Sequence, residues 1–405
     1  MMEEAKKNPR WLKTGSVLLD ILVGGGVGLG FPTGKVINFV GDKSSGKTFI
    51  ACEIVAANHH RYGDRFRWNY DDGESGFTFD GKKLWGVDVL NKENAFTSSQ
   101  IEEFDVNTKR FLKKKMTGKA ELGLYVIDSL DGLSDAEKED RAEKRYKAAE
   151  TGNKGSGPDG TYGTLTPKFL SQEFFRTKTD DFAEQNASLL IISQTREKLN
   201  AGLFEKKQQR SGGKALDFYA HSVVWLSNIC KIRRGDRVVG VFIEAYLDKS
   251  KTPRPYRKIK LLVYFDYGID DIGSSLNYLY DCWGEDGKLK KTRAIAWEGG
   301  KDKNLTNLKE FLKARDLTAE CREAKKEADG KPQLSIDFMI DWIEKQEGEV
   351  AAAFKDEFGE TVDYEDLCVQ ISEDPKMKKE LDRRVIEKWE AEEAAVATKR
   401  RGKYS

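Results

Sequence analysis

Long apolar runs are absent from this 405-residue chain: none reaches the length needed to span a bilayer, and the polar stretch Met1 to Lys13 lacks the apolar core of a signal peptide. The expectation is a soluble cytoplasmic protein with no membrane partner. Paired cysteines are missing too. The five cysteines (Cys52, Cys230, Cys282, Cys321 and Cys368) include no C-x-x-C, and Cys52, Cys230 and Cys368 lie in apolar surroundings. That spacing excludes a disulfide framework and a thiolate zinc site and leaves reduced, buried thiols. Net charge is almost nil. Charged residues make up 34% of the chain, but 69 Lys+Arg against 68 Asp+Glu leave a formal +1, so any nucleic-acid site must come from local clustering. The chain also has no internal repeat.

What is present is first of all size, since 405 residues with 39% hydrophobic content suffice for a large core and something smaller, two or three domains in all. Within it stands Gly41-Asp42-Lys43-Ser44-Ser45-Gly46-Lys47-Thr48, a G-x-x-x-x-G-K-T loop entered from the apolar run Val36 to Val40 and left through a helix-like segment, Phe49 to Ala57. Strand, loop and helix in that order make a phosphate site. Glycines let backbone N–H groups turn inward, the helix start adds partial positive charge, Lys47 reaches the β- and γ-phosphates, and Thr48 offers its hydroxyl to Mg²⁺. The ligand this implies is a nucleoside triphosphate, ATP with Mg²⁺. A chance Gly/Ser turn is the competing reading, and both flanks argue against it.

Apolar segments recur at Phe66 to Tyr70, Leu124 to Ile127, Leu189 to Ser193 and Val223 to Leu226, with helical stretches between them. This alternation predicts an α/β fold with a mostly parallel central sheet covered on both faces. Val238 to Tyr246 and Ile259 to Tyr267, separated only by a loop holding Pro253 and Pro255, read as an antiparallel addition at the sheet edge. Asp135 to Gly163 is a long polar insertion, expected to be a functional loop. Past Trp283 the chain is dense in Lys and Glu, with helix-like stretches at Asn304 to Ala314, Ser335 to Gln346 and Met377 to Ala395. The expected organisation is a short N-terminal segment (1–13), an ATPase core (14–283) and a mainly helical C-terminal domain (284–405). The spacing of charges in the last helix suits solvent-exposed i,i+4 pairs, and the basic end Lys399 to Lys403 fits either a phosphate contact or a tail of no specific role.

Three further places carry chemistry. The run Leu124 to Ile127 ends in Asp128, a carboxylate at the sheet edge where a nucleotide's Mg²⁺ would lie, held directly or through water. Hydrolysis also needs a group that activates water, and Asp71, Asp72 and Glu74 close the second strand; spacing alone does not choose among them, and each could instead cap the next turn. The strand Leu189 to Ser193 ends at Gln194, an amide able to sense a γ-phosphate, and the following loop gathers Arg196, Lys198, Lys206, Lys207 and Arg210 round Leu203-Phe204 before Gly212-Gly213. Cations with an aromatic suit a nucleic-acid backbone with a base step held open. The alternative is Phe204 packed on the core beneath a solvated loop.

Taken together these residues resemble the RecA family of recombinases, including the phage-encoded UvsX type. The similarity starts at Thr14-Gly15-Ser16-Val17-Leu18-Leu19-Asp20 and continues through the phosphate loop, Gly86-Val87-Asp88, Val126-Ile127-Asp128-Ser129, Ser193 to Lys198 and Gly212 to Ala220, covering roughly residues 14–280. The resemblance implies a RecA-like P-loop core and picks Glu74, in Asp72-Gly73-Glu74, as the glutamate that activates water. It implies that Gln194 couples the γ-phosphate to a second DNA-binding loop, Thr195 to Gly213, with Asp135 to Gly163 in the place of the first. It also implies that Lys249 and Lys251, which in isolation read as solvated charges, reach the ATP of a neighbouring subunit.

The expected function is a DNA-dependent ATPase that assembles on single-stranded DNA, with double-stranded DNA as a further partner, as a homo-oligomeric helical filament that promotes homologous pairing and strand exchange in recombination and repair. In a phage-encoded chain the compartment would be the host cytoplasm. The alternative is a RecA-fold ATPase without pairing activity, acting as a motor, loader or switch. Only thirteen residues precede Thr14, fewer than the family's usual N-terminal docking segment, and this favours the alternative.

Overall fold

Six buried residues, Val36–Gly41, form β1, which pairs on both sides with parallel strands and, Asn38 apart, reads as an apolar run because neither face meets water. The computed structural model describes residues 11–26, 28–90, 95–113, 121–134, 169–170, 174–197, 208–210, 213–290, 294–346 and 348–398. They fall into two units, Met1–Asp271 and Ile272–Ser405.

In the first unit β1 is joined by β2 (Phe66–Asp71), β3 (Leu122–Ile127), β4 (Ala187–Glu197), β5 (Ser222–Arg234), β6 (Arg237–Ser250), β7 (Lys258–Tyr264) and β8 (Gly268–Asp270). The spatial order is β8, β7, β6, β5, β1, β4, β3, β2, and the short strand Gln208–Arg210 adds antiparallel to the far end of β4. Strands β2, β3, β4, β1 and β5 are mutually parallel, whereas β5 to β8 follow one another antiparallel. The parallel sheet with an antiparallel addition is thus the expected α/β architecture.

The Lys47–Tyr62 helix (α1) leaves the phosphate loop, and the helices Ile101–Lys113 (α2) and Phe175–Glu184 (α3) lie against one sheet face. Alternate strand residues Val36 and Val40, Tyr125 and Ile127, and Leu189 and Ile191 pack there with Phe104, Phe111, Phe175 and Phe182. The Thr14 to Asp20 segment ties the helix Val17–Gly24 into place. Ser16 Oγ accepts from Leu19 N–H (3.4 Å), and Asp20 Oδ1 accepts from Thr14 N–H (2.8 Å) and Thr14 Oγ1 (3.0 Å). These residues serve the architecture.

The second unit is mainly helical, as expected. Leu305–Ala314 starts at Asn304 and Ile336–Glu344 at Ser335, each capped by that side chain. Leu308, Phe311, Leu312, Cys321, Met339, Ile343, Phe354 and Phe358 make its core. The last helix, Pro375–Val396, carries exposed pairs such as Arg383 with Glu380, but it also buries Leu381, Val385 and Trp389. Lys388 Nζ donates to Tyr278 O (2.6 Å) and Leu279 O (3.2 Å), and the Arg384 guanidinium stacks 4.2 Å over Trp297. This helix is therefore bound to its unit and is more than a solvated charged face.

Candidate nucleotide site

The parallel register brings the ends of β1 and β3 beside β4, since Gly41 lies opposite Gln194 and Ile127 opposite Ile191; β4 does not end at Gln194 as expected but runs on to Glu197 by pairing with Gln208–Arg210. Loops leaving these ends must converge at the carboxyl edge of the sheet, the usual ligand position in such folds. A cavity of about 460 Å³ opens there, lined by Ser44 to Thr48, by Asp72, Glu74 and Asp128, and by an apolar wall that includes Phe77, Phe79, Val241 and Phe265.

The phosphate loop is shaped by close approach. Gly46 holds φ +85°, and a Cβ there would come 2.4 Å from Ile243 Cδ1. Next to it the Lys47 side chain is buried, its ammonium donating to Gly41 O (2.9 Å), Asp42 O (2.7 Å) and Ser45 Oγ (3.4 Å). Burial pulls the Lys47 pKa below its ordinary value, and the carboxylates Asp128, Asp42, Glu74 and Asp131 draw it back up. The buried Lys47 cation suits a ligand that brings negative charge, such as a phosphate chain, and the carboxylates facing it suit one that brings a cation as well.

The three carboxylates after β2 part company. Asp71 is fully buried and accepts from Ser98 N–H (2.7 Å), Ser98 Oγ (2.6 Å) and Tyr125 OH (2.6 Å), so it is a structural group. Asp72 closes its own loop by accepting from Phe77 N–H (2.9 Å) and Gly76 N–H (3.3 Å). Glu74 accepts from Ser129 Oγ and from Gln194 Nε2 (2.7 Å), at the cavity wall. Asp128 accepts from Tyr70 OH (2.6 Å) and draws on Thr48. Burial raises the Asp128 pKa, the hydrogen bonds from Tyr70 and Thr48 oppose this, and nearby Glu74 and Asp72 add to it. Extra negative charge raises a carboxyl pKa and a cation would lower it.

Among the described residues no group of three or more His, Cys, Asp or Glu side chains could hold a metal ion. One carboxylate beside Thr48 nevertheless fits Mg²⁺, which binds through one or two protein groups together with substrate phosphates. Gln194 joins the site twice, since its backbone N–H also donates to Asp131 Oδ2 (2.8 Å). Thr195 Oγ1 donates to Asp42 Oδ1, tying the start of the following loop to the phosphate loop.

Of the residues expected to touch DNA, Arg196 and Arg210 lie on the paired stem formed by β4 and Gln208–Arg210, and Gly213 begins the Gly213–Tyr219 helix (α4). Lys198, Leu203, Phe204, Lys206, Lys207 and Gly212, and the insertion Asp135 to Gly163, lie outside the described residues. Lys249 Nζ donates to Asp217 O and to Phe218 O (3.1 Å) at the end of α4, and Lys251 is exposed on the loop after β6. Neither lysine lines the cavity of its own subunit.

Known proteins bear on this geometry. The family model for the RecA N-terminal domain matches residues 153–270. Protein RecA of Nautilia profundicola is 26% identical over 345 residues, covering 84% of this chain and 88% of that protein. Protein RecA of Clostridioides difficile is 28% identical over 319 residues, covering 77% and 81%. The chain is similar to the RecA family. A solved RadB recombinase structure covers 64% of this chain and 98% of its own, at 19% identity and a TM-score of 0.41.

Sequence reasoning missed Tyr70, Ser129 and Asp131, which hold Asp128, Glu74 and Gln194, and the apolar wall of the cavity. Ser129 stood next to Asp128 in the matched run without a role. Tyr70 could have been found from the strand pattern, as a tyrosine at the end of a buried strand needs a partner for its hydroxyl.

Proposed function

We propose that this chain is a DNA-dependent ATPase of the recombinase type, acting on single-stranded DNA as a filament and promoting homologous pairing and strand exchange. The observation that carries this reading is the hydrogen bond from Gln194 Nε2 to Glu74 Oε1 (2.7 Å), which joins the stem of the expected DNA loop to the carboxylate best placed to activate water. Relatives named Protein RecA support the same reading.

The residues divide the work. Lys47 and the loop N–H groups would hold the phosphates, and Thr48 and Asp128 would hold Mg²⁺, which when bound would supply charge neutralisation for phosphoryl transfer. Glu74 accepts a proton from, or orients, the attacking water. A γ-phosphate beside Glu74 competes for the Gln194 amide, and that amide leads straight into the β4 stem, so nucleotide state reaches the DNA loop. Lys249 and Lys251 act on a neighbouring subunit's phosphates when subunits stack.

The test is ATP turnover with and without single-stranded DNA, with negative-stain images of the same samples. Stimulated turnover together with helical filaments is the expected result. Closed rings, or indifference to DNA, would favour an ATPase that works as a motor, loader or switch.

A further inference from the structure

Strands β2 and β3 carry two tyrosine–aspartate pairs on opposite faces. Tyr70 lies opposite Val126 in the ladder, and Asp71 opposite Ile127. Residues two apart on a strand share a face, so Asp128 falls diagonally from Tyr70 on one side, and Tyr125 diagonally from Asp71 on the other. Both hydroxyls donate to their aspartates at 2.6 Å. The Tyr125–Asp71 pair is closed by Ser98 and lies away from the cavity, whereas Asp128 lines it.

We propose that Tyr70 is a positioning residue of the metal site, its hydroxyl fixing Asp128 Oδ2 so that the carboxylate meets the cation in one orientation. This rests on the nucleotide reading above and adds a residue to it. Tyr70 is fully buried, and its ring packs edge-on to Phe77 at 5.3 Å, which lines the cavity. A carboxylate that can rotate loses part of its affinity for a metal, and outer partners of metal ligands are worth about 10–100-fold in binding.

The experiment compares Tyr70→Phe with Tyr125→Phe, which removes the matching bond on the face away from the cavity and controls for lost stability. Mn²⁺ is titrated into each protein with a nonhydrolysable ATP analogue and followed by electron paramagnetic resonance, and analogue binding is measured separately in EDTA. Tyr70→Phe should weaken Mn²⁺ by about 10–100-fold with metal-free analogue binding unchanged, while Tyr125→Phe leaves Mn²⁺ binding as in the wild type. Mn²⁺ affinity within twofold of wild type in Tyr70→Phe, or an equal loss in both variants, overturns the proposal and leaves the nucleotide site standing. Absence of analogue binding in the wild-type protein overturns both.

Discussion

Gln194 Nε2 lies 2.7 Å from Glu74 Oε1, and both residues are held by the segment after β3, Glu74 by Ser129 and the Gln194 backbone by Asp131. An amide so placed can exchange the carboxylate for a phosphate oxygen without moving its backbone. Coupling between nucleotide and DNA should therefore depend on this side chain. In Gln194→Ala the affinity for single-stranded DNA should be the same with and without a nonhydrolysable ATP analogue, whereas the wild type should differ by about 5–150-fold, the usual range of such couplings. Fluorescence anisotropy of a labelled oligonucleotide measures both. A variant that keeps the full difference would remove Gln194 from the pathway.

Glu74 should be needed for turnover and not for binding. Glu74→Gln keeps the shape of the side chain and a carbonyl for the Gln194 amide but removes the base. Turnover should drop by about 10²–10⁴-fold, with the nucleotide dissociation constant, read by calorimetry, changed little. The matched substitutions Asp71→Asn and Asp72→Asn separate the three carboxylates. Asp71→Asn should lower thermal stability, because a fully buried acceptor of three hydrogen bonds is disturbed, and Asp72→Asn should alter turnover far less than Glu74→Gln.

The phosphate loop and the parallel strands were legible because their signals are local. A glycine-lysine-threonine loop between an apolar run and a helix leaves little choice, and β1 and β3 are buried throughout, so their sequences are largely apolar, Asn38 of β1 being the buried polar exception. Length was harder to read where burial is one-sided or lost. Val223 to Leu226 marked only the start of β5, whose polar end, Lys231-Ile232-Arg233-Arg234, is a strand because it pairs with β6 across the turn at Gly235. In the second unit the helices Thr318–Asp329 and Tyr364–Glu373 escaped notice because charge masks them; Thr318–Asp329 buries only Cys321. The choice among Asp71, Asp72 and Glu74 depended on partners distant in sequence, Tyr125, Ser98 and Gln194, and no spacing rule reaches that far.

The far wall of the cavity should hold the base by contact alone. Phe79 and Phe265 are exposed there, and Phe77 packs edge-on to Phe79 at 5.5 Å, in a wall shared with Val241 and Val263. Stacking of a base on an aromatic ring is worth about 1–3 kcal/mol. Replacing Phe79 or Phe265 by Ala should weaken ATP by that amount and leave inorganic tripolyphosphate binding unchanged, as competition against a fluorescent nucleotide would record. Among the described residues that wall is apolar, and an apolar wall discriminates weakly, so GTP should bind within about tenfold of ATP.

Glu53 should make stability fall with rising pH. It sits on α1 beneath two glycines: a Cβ on Gly15 would meet its Cγ at 2.6 Å, and one on Gly268 would meet its Oε2 at 2.7 Å. Trp85 Nε1 donates to it at 2.8 Å and Ile269 N–H at 3.5 Å. Burial raises its pKa to about 7, those two hydrogen bonds hold it back, and Asp271 pushes it further up. A carboxyl whose folded pKa exceeds its unfolded value of 4.5 binds its proton more tightly in the native state. Its contribution to stability is therefore complete below pH 4.5 and is lost as pH rises through about 7. At 1.36 kcal/mol per unit the loss amounts to about 3 kcal/mol at most. Glu53→Gln retains an acceptor for Trp85 and carries no charge, so its urea midpoint should stay level between pH 5 and pH 8 where the wild-type midpoint declines. Parallel curves for the two proteins would mean that Glu53 titrates as it does in the unfolded chain.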